Sequence, residues 1–526
     1  MPAADALPVF ARPRLTSADV RKALIRASLP SLIILGAATR WWSPAMKSDL
    51  WYDEAYSYSV AARPFHGMMA ILYRGADTNP PLYTFVLHFW IKLGHSDAHI
   101  KLFSLMLGTA SIAIFYLLAR LIADRRAALV SCALFTTSQS VITYSVEARP
   151  YALFLLLSLL STYFLLTAME RDRLQEQPLV RTRAWLCYAV TGIFMVYTHW
   201  FALLVLFVQS AALPVYRPHS GRQARAYLAS LAAMSICCLP LAPFLWNQVT
   251  LQTAAGGYNW PGKPGLNSLL DLAAFLAGGK NLVLVFGLVL ALACRAIAKR
   301  RFEVPLRTKK HAAFLTVYLV LPMATVFLIS RILPSSSFFV PRYFLPFIVA
   351  GHLLMGLCLT RIDRRVMPII LLAFVATPLI KTARLWRAPE SAYSQLASHL
   401  VLNSGDSVLV CHLSPMSYYP VVRYCSGSGP RERILWSGPD CCYEVSYNLR
   451  GGMLDYSDLI EVGPELMKYT DLWVIVDPID RDGKIRVTYR DIRKNSGFIL
   501  ASEERVGGLR LEHYVASGSE GDLRSP

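Results

Sequence analysis

Long apolar runs recur along most of the chain and then stop. Because a helix of ~20 predominantly apolar residues spans a bilayer, this part of the chain is predicted to lie in a membrane. The runs are Ala27–Trp42, Ile100–Leu121, Ala127–Ser145, Tyr151–Ala168, Ala184–Thr198, Phe201–Tyr216, Ala226–Trp246, Leu282–Ala298, Ala312–Ile329, Tyr343–Thr360 and Val366–Ile380. No such run follows Trp386, so residues 1–386 are predicted to form the membrane part and residues 387–526 a separate water-soluble domain.

One further apolar segment, Pro81–Leu93, is short for a span, with ~13 residues against the ~20 that a helix needs. If it lies along the membrane surface, the basic clusters between the runs all fall on the side of the N-terminus, as the positive-inside rule requires of the cytoplasmic side. These clusters are Arg125-Arg126 and residues 171–183, 217–225, 299–310 and 361–365. We therefore predict a mainly α, multi-pass membrane protein of about eleven spanning helices, with a cytoplasmic N-terminus and an extracytoplasmic C-terminal domain.

Composition agrees with this prediction. The 526 residues are 55% hydrophobic, with a mean hydropathy of +0.40, which is high for a soluble protein. The net charge of +19 is divided among short clusters between the apolar runs, so topology explains it and nucleic-acid binding is excluded. The first run has a basic flank and a short apolar centre, so a signal peptide is its alternative interpretation.

Residues 387–526 carry both helix and strand signals, which predicts a small α/β domain. The predicted elements are a helix at Ser391–Leu402 and strands at Ser407–Cys411, Leu472–Val476, Phe498–Ser502 and Leu509–Val515. An extracytoplasmic location favours one disulfide among the four cysteines of this domain, Cys411, Cys425, Cys441 and Cys442. The domain shows no catalytic motif, and acceptor binding and packing over an active site both remain open as its role.

Acidic residues are absent from every apolar run. Ion-coupled transporters need ionisable groups near the middle of the membrane, so transport is disfavoured. The outer loops of the membrane part hold the carboxylates Asp49, Asp53, Glu54, Asp77, Asp97, Glu147 and Asp271. No cysteine or histidine spacing typical of a metal site is present.

The first outer loop, residues 43–99, contains the most conspicuous polar motif. Asp53-Glu54 stands among aromatic residues, including Tyr56, directly after a membrane helix. Such a carboxylate pair can belong to a sugar-binding site, or it can be a solvated pair beside an aromatic belt at the headgroup level. Local features alone do not separate the two interpretations.

Other polar residues stand at outer turns. Pro80-Pro81 fixes the chain as it returns to the membrane, which is a structural role, and leaves Asn79 and Tyr83 as candidate site residues. His199 lies in a turn between two helices. A lone histidine there is more often structural than catalytic, although histidine can act as an acid or a base.

Two arginines on the outer side run against the positive-inside trend. Arg149 follows Glu147 in a tight turn between two helices, and Arg342 precedes Tyr343 at the start of another helix. A phosphate group is one partner that would account for each guanidinium. The alternatives are a structural salt bridge for Arg149 and a lipid headgroup contact for either arginine.

Five motifs in this order, on one predicted face of the membrane, resemble those of the GT-C membrane glycosyltransferases. The resemblance is closest to the protein O-mannosyltransferase and lipid A aminoarabinose transferase types, and it covers about Ser48 to Thr360. The motifs are Asp53-Glu54, Asn79-Pro80-Pro81-Leu82-Tyr83, Glu147-Ala148-Arg149-Pro150-Tyr151, Tyr197-Thr198-His199-Trp200-Phe201 and Arg342-Tyr343-Phe344-Leu345-Pro346.

The resemblance implies an inverting glycosyltransferase of the inner membrane that uses a polyprenyl-phosphate-linked sugar, a mannosyltransferase-like enzyme. The acceptor would be a hydroxyl of a glycan, lipid or protein, for example in lipopolysaccharide or another envelope glycan. The catalytic role falls on Asp53, with Glu54 beside it, and the donor phosphate on Arg149 and Arg342. The remaining substrate-binding candidates are Glu147, Asn79, Tyr83, Tyr56, His199 and Tyr343. No metal or other cofactor is required by this chemistry, although members of the family differ in their use of a divalent cation.

Two other functions fit parts of the pattern. A non-catalytic scaffold or sensor would bind glycan or protein through its outer domain, and that domain alone would retain binding. A transporter of lipid-linked glycans would need a continuous polar path through the helices, which the missing carboxylates argue against.

Overall fold

The computed structural model of the chain describes residues 17–216, 221–255, 261–298, 306–333, 336–385, 392–403, 408–425, 430–436, 443–461, 465–476 and 497–517. The helices of the membrane part are α1 (Ser17–Trp41), α2 (Pro44–Lys47), α3 (Tyr52–Ala61), α4 (Phe65–Tyr73), α5 (Leu82–Trp90), α6 (Asp97–Ile122), α7 (Arg125–Thr137), α8 (Gln139–Val146), α9 (Tyr151–Arg173), α10 (Pro178–Thr198), α11 (Ala202–Ala212), α12 (Gly221–Cys238), α13 (Ala242–Ala254), α14 (Leu266–Ala277), α15 (Lys280–Ala298), α16 (Leu306–Ile332), α17 (Leu345–Leu359) and α18 (Met367–Leu385). The C-terminal domain contains α19 (Ala392–Asn403), β1 (Val408–His412), α20 (Pro415–Cys425), β2 (Arg431–Trp436), α21 (Tyr443–Gly451), β3 (Leu459–Glu461), β4 (Asp471–Val476), β5 (Phe498–Val506) and β6 (Leu509–Ala516).

The membrane part contains six helices, among the described residues, that are long and apolar enough to cross a bilayer. Two bent helix pairs bring the number to eight if each pair counts as one span. Three shorter apolar helices lie at Leu82–Leu93, Ala202–Val215 and Met367–Lys381. Helices occupy all of the predicted apolar runs, so the multi-pass membrane fold is confirmed, whereas the count of eleven spans is not.

One bend shapes the outer side of the membrane part. Between α7 and α8 the chain turns by 56° at Ser138, which leaves carbonyl groups near the end of α7 without helical partners. The fully buried Arg40 of α1 donates from Nη1 to the Thr136 carbonyl (3.4 Å) and to the Gly36 carbonyl of its own helix (3.0 Å). The bend directs α8 toward the outer turn that contains Glu147.

The C-terminal domain is built on a six-stranded sheet in the order β3-β2-β1-β4-β6-β5. Strands β1 to β4 are parallel to one another, and β6 and β5 extend the sheet as an antiparallel pair beside β4. Helix α20 joins β1 to β2 and helix α21 joins β2 to β3, as is usual for parallel connections. The predicted α/β domain is therefore present.

The predicted elements of this domain match α19, β1, β4, β5 and β6 within a few residues. The prediction missed β2, whose sequence Arg-Glu-Arg-Ile-Leu-Trp begins with three charged residues, and β3, which has three residues. Cys411 and Cys425 are free thiols, and the other two cysteines of the domain lie outside the described residues.

The first outer loop and the C-terminal domain share one hydrophobic core. Leu50, Ala55 and Met68 of the loop belong to the same buried cluster as Leu409 and Leu472 of the sheet. The burial of apolar surface on both sides stabilises this contact by ~25 cal/mol per Å². The two parts are therefore expected to fold as one unit on the outer side.

At two positions, another segment comes so close to the backbone that only glycine fits. A Cβ atom on Gly451 of α21 would lie 2.6 Å from the Ala76 Cβ of the loop. Gly75 has φ +80°, and a Cβ there would lie 2.4 Å from the Gln248 backbone nitrogen of α13. The Gly75 carbonyl also accepts a hydrogen bond from the Tyr447 hydroxyl (2.7 Å).

The predicted topology can be tested by labelling single cysteines in a variant that lacks the native ones. Cysteines replacing the exposed His66 and Arg431 should react with a membrane-impermeant maleimide in intact cells. Cysteines replacing Asp124 and Arg364 should react only after permeabilisation, because the basic clusters beside them favour the cytoplasm. Labelling of the Asp124 position in intact cells would show that Pro81–Leu93 spans the membrane.

Candidate active site

Helix α3 carries two of the acidic residues of the first outer loop, Asp53 and Glu54, side by side. Successive residues of an α-helix are about 100° apart around its axis, so Asp53 and Glu54 point in different directions. Asp53 is 17% exposed and faces Arg342, whereas Glu54 is almost fully buried and faces Lys101. The two neighbours therefore have different surroundings.

Glu54 is held by groups from three segments. Its Oε1 accepts a hydrogen bond from the Ala148 amide (2.8 Å), and its Oε2 accepts one from the Trp51 amide (3.3 Å). Lys101 Nζ lies 3.7 Å from Oε2, and both side chains are buried. Burial raises the pKa of Glu54 above its usual value, and the opposite effects of Lys101 and the two amides offset only part of this increase. The side chain links α3 to α6 and to the outer turn after α8.

Lys101 is buried but surrounded by oxygen atoms. Its ammonium group donates to the carbonyls of Ala45 and Ser48 (2.7 Å each) and of Asp49 (3.2 Å). A buried ammonium group is tolerated only when such partners satisfy it. Lys101 thus fixes the chain that leads from α1 into α3.

Arg149 contacts α3 from the turn after α8. Its Nη1 donates to the Ser57 hydroxyl (2.7 Å) and to the Asp53 carbonyl (3.3 Å). The Ser57 hydroxyl also donates to the Asp53 carbonyl (3.0 Å). Burial lowers the pKa of Arg149, but Asp53, Tyr151 and Asp77 together raise it above its usual value, so the guanidinium stays charged.

Arg342 supplies the direct partner of the Asp53 carboxylate. Its Nη1 lies 3.3 Å from Oδ2, as an ion pair without the alignment of a hydrogen bond. The rings of Trp51, Tyr151 and Tyr343 surround the guanidinium at 5.7–5.8 Å from their centroids. With 16% exposure, Arg342 is more accessible than the buried Arg149, and is the better placed of the two to meet a ligand.

Glu147 is a third carboxyl group beside these cations. Its Oε1 is buried and has no hydrogen-bond partner in the part of the chain that the structure describes. Burial, together with the charge of Glu54, raises the pKa of Glu147 to about 8, although Arg342 acts in the opposite direction. At neutral pH Glu147 is mostly protonated, so three cations, Lys101, Arg149 and Arg342, face two other carboxyl groups, Asp53 and Glu54. An anionic ligand is therefore favoured.

His199 closes the aromatic side of the cluster. Its ring stacks on Phe154, with centroids 4.7 Å apart, and lies 5.4 Å from the ring of Tyr343. Nδ1 accepts the Phe201 amide (3.1 Å), which places the proton on Nε2. Burial, followed by the charges of the two nearby arginines, lowers the pKa of His199 to about 3. The neutral ring has a buried Nε2 donor with no hydrogen-bond partner among the described residues.

The structure brings Asp53, Glu54, Glu147, Arg149, Arg342, His199 and Tyr343 together, through direct contacts or close charges. Three further candidates have structural contacts instead. The Tyr56 hydroxyl donates to the Ala76 carbonyl (2.7 Å), and the buried Tyr83 hydroxyl meets Ser104 Oγ (3.2 Å).

Asn79 turns back on its own loop. Its backbone amide donates to Asp77 Oδ1 (3.0 Å), and its side-chain amide lies 3.4 Å from the same oxygen. Asp77 Oδ2 accepts the Thr84 hydroxyl (2.9 Å), so this carboxylate fixes the turn that leads through Pro80-Pro81 into α5.

Two polar residues that organise the site were missed by the sequence prediction. Lys101 stands second in an apolar run, and a lysine at the outer end of a helix that should be poor in basic residues was the available signal. Gln248 of α13 accepts the Trp200 indole N–H (2.7 Å) and donates to the Thr78 carbonyl (3.0 Å). No sequence pattern marks that bridge.

Among the described residues, no group of three or more His, Cys, Asp or Glu side chains is placed to hold a metal ion.

The overall fold matches those of known membrane enzymes. ArnT from Cupriavidus metallidurans, in its structure bound to undecaprenyl phosphate, aligns with a TM-score of 0.58 at 12% identity, over 94% of this chain and 98% of that chain. The archaeal oligosaccharyltransferase AglB from Archaeoglobus fulgidus aligns with a TM-score of 0.54 at 10% identity, over 86% and 69% of the two chains. Arabinofuranosyltransferase AftD from Mycobacteria aligns with a TM-score of 0.50 at 14% identity, over 93% and 40%. The chain therefore has the fold of the GT-C membrane glycosyltransferases, as the resemblance of its motifs predicts.

Within this class, residues 78–240 match the family described as dolichyl-phosphate-mannose-protein mannosyltransferase. The matched segment contains the outer turns with Glu147, Arg149 and His199, but neither α3 nor the C-terminal domain. No curated protein sequence matches the chain. Fold and family segment together support a membrane-bound glycosyltransferase.

The buried pair of Lys101 and Glu54 yields a stability prediction. Lys101→Met should lower the free energy of unfolding by ~3–5 kcal/mol, because it leaves a carboxylate buried without its cation. Adding Glu54→Gln should restore much of that loss. Lys280→Met, which removes the exposed partner of Asp271, serves as the control, with an expected effect of ~0–1 kcal/mol. Thermal unfolding in detergent compares these three variants with the unsubstituted protein. Equal transitions for Lys101→Met and the control would contradict a supporting role for the buried pair.

Proposed function

We propose that this protein transfers a sugar from a polyprenyl-phosphate-linked donor to an acceptor hydroxyl at the outer face of the cytoplasmic membrane, with inversion at the anomeric carbon. The observation that carries the proposal is the ion pair of Asp53 and Arg342, with 3.3 Å between Oδ2 and Nη1. The pair lies in a cluster with an excess of positive charge, in a chain that has the GT-C fold. A carboxylate base beside a phosphate-binding cation is the minimum that this reaction needs.

Asp53 is proposed as the general base. The acceptor hydroxyl attacks the anomeric carbon while its proton passes to Asp53 Oδ2. A new carbon–oxygen bond forms, the bond to the donor phosphate breaks, and polyprenyl phosphate leaves with the electron pair. A positioned general base contributes ~10²–10⁴-fold to the rate of such a step. Glu54 does not compete for this role, since amides and Lys101 hold both of its oxygens.

Arg342 is proposed to bind the donor phosphate. Its guanidinium is planar and can form two parallel hydrogen bonds to phosphate oxygens. An arriving phosphate competes with Asp53 for this cation, so donor binding releases Oδ2 to accept the proton. This competition favours an order in which the donor binds before proton transfer begins. Arg149, bound to Ser57 and to the Asp53 carbonyl, adds positive charge and holds α3 in place.

The sugar and acceptor are proposed to bind between the cations and the aromatic residues. Glu147, protonated at neutral pH, and the Nε2 donor of His199 can each donate a hydrogen bond to a sugar or phosphate oxygen. Tyr343 contributes an aromatic wall. Tyr56, Tyr83 and Asn79 would act indirectly, by fixing the loop around the site.

The outer location is proposed because the predicted topology puts the site on the side of the membrane opposite the basic clusters. Mass spectrometry of envelope glycans and lipids from a strain that lacks the protein would reveal the acceptor and the sugar. The donor carrier is expected to be a polyprenyl phosphate, such as the undecaprenyl phosphate bound to the ArnT structure.

The first functional prediction concerns the base. Asp53→Asn should lower the transfer rate by ~10²-fold or more, because the amide keeps the shape of the side chain but cannot accept the proton. Purified protein in nanodiscs, a polyprenyl-phosphate sugar and the identified acceptor form the assay. Glu54→Gln should lose less activity and more stability. Asp271→Asn, at an exposed outer carboxylate, is the control and should transfer normally. A normal rate for Asp53→Asn would place the base elsewhere.

The second functional prediction concerns the donor phosphate. Arg342→Ala should raise the KM for the donor and lower the rate, while Arg342→Lys should recover only part of each, since a point charge cannot replace a bidentate guanidinium. Arg331→Ala, at an exposed arginine that ends α16, provides the matched control. Unchanged donor dependence in Arg342→Ala would mean that another group binds the phosphate.

A further inference from the structure

Helix α20 of the C-terminal domain packs against α3. Residues Tyr419 and Arg423 of α20 are four positions apart, so they lie on one side of that helix. The Tyr419 ring meets the rings of Tyr56 (5.4 Å, edge to face) and Tyr52 (6.2 Å). The Arg423 guanidinium lies over the ring of Tyr58, 3.9 Å from its centroid. Three aromatic residues of α3 thus rest on α20.

The last turn of α20 is also fixed to the start of α6. Arg423 donates to Asp97 Oδ1 from Nε (3.1 Å) and Nη2 (2.5 Å), and Nη2 also reaches the His95 carbonyl (2.8 Å). The Tyr424 hydroxyl donates to Asp97 Oδ2 and accepts the Leu50 amide (2.8 Å), two residues before α3 begins. The clamp formed by Arg423, Tyr424 and Asp97 therefore joins the C-terminal domain to Leu50, just before α3, and to the start of α6.

We propose that the C-terminal domain positions the catalytic carboxylate: Arg423 and Tyr424 are positioning residues that set the rotation of α3 and so the placement of Asp53. This inference rests on the proposed role of Asp53 as the base. It assigns to the domain a task in the reaction through a carboxylate that another part of the chain carries.

Helix geometry shows why the clamp controls Asp53. Tyr52 and Tyr56 lie about 40° apart around the axis and face α20, while Asp53 lies about 100° from Tyr52 and faces Arg342. Side chains end ~5–6 Å from a helix axis, so a rotation of about 20° moves the carboxylate by ~2 Å. A displacement of ~1 Å in a reacting group can cost ~10²-fold in rate.

The contacts that hold α3 come from different elements of the structure. Lys101 contacts α3 through Glu54 and Arg149 contacts it through Ser57, whereas α20 contacts the rings of its tyrosines. A helix of ten residues has little rigidity of its own in water, so its orientation depends on such contacts.

The test combines a structural and a kinetic readout on the full-length protein. Tyr424→Phe keeps the ring and removes the hydroxyl that joins Leu50 to Asp97, and Arg423→Ala removes the ion pair and the ring contact. Arg431→Ala, at an exposed arginine of β2, is the matched control. Hydrogen–deuterium exchange in nanodiscs should rise in peptides covering residues 50–61 in the two clamp variants and not in the control.

Kinetics then decide whether the movement matters. Arg423→Ala should lower kcat by ~10-fold or more, with the KM for a polyprenyl-phosphate sugar changed by less than ~2-fold. Arg423→Lys should recover part of kcat. In an Asp53→Asn background, Arg423→Ala should cause no further loss, because the two substitutions act on the same group.

Three outcomes would overturn the inference. These are unchanged exchange in residues 50–61, faster exchange with normal kcat, and a uniform rise in exchange across the C-terminal domain, which would show that the clamp only stabilises that domain. Full activity of Asp53→Asn alone would instead remove the proposed base. In that case the exchange result would still report whether the clamp holds α3.

Discussion

A buried carboxylate at the membrane surface imposes the main constraint on this structure. Glu54 has lost nearly all contact with water, so its charge is tolerated only if protein groups replace the hydration shell. Lys101 and two backbone amides do so, and they come from three separate segments. Satisfying this one side chain therefore brings the first outer loop, α6 and the turn after α8 into a fixed arrangement.

The rest of the site depends on that arrangement. With the turn after α8 held at Glu54, Glu147 and Arg149 must lie beside α3, and Asp53 is left on the face toward Arg342. Two acidic residues adjacent in sequence, Asp53 and Glu54, thus differ in burial and in their partners. One is buried and supports the structure, and the other keeps partial exposure and is free to exchange its partner.

The sequence was most informative where a long pattern was available. Runs of ~20 apolar residues located helices correctly, because the bilayer imposes that length. Counting spans was harder, since a bend such as the one at Ser138 and short helices such as Leu82–Leu93 are decided by packing and not by hydropathy. The strand β2 was missed because its charged first half contradicts the pattern of a buried strand.

Site residues divide in a similar way. Motifs on the outer side brought Asp53, Glu147 and Arg342 to attention, since charge at a membrane surface is unusual. Residues that organise the site, such as Lys101 and Gln248, act through backbone carbonyls and buried partners that are distant in sequence. Likewise, the interaction between α3 and α20 has no local signal, because the two helices are brought together only by the completed fold.

The shared core of the first outer loop and the C-terminal domain also has a consequence for synthesis. Leu50 and Tyr424 are separated by 374 positions along the chain. At ~5–20 residues per second, the ribosome needs roughly 20–75 s to synthesise the residues between them. During that interval the apolar side chains of the loop have no sheet to cover them. The loop must therefore wait, incompletely folded, until the last part of the chain arrives.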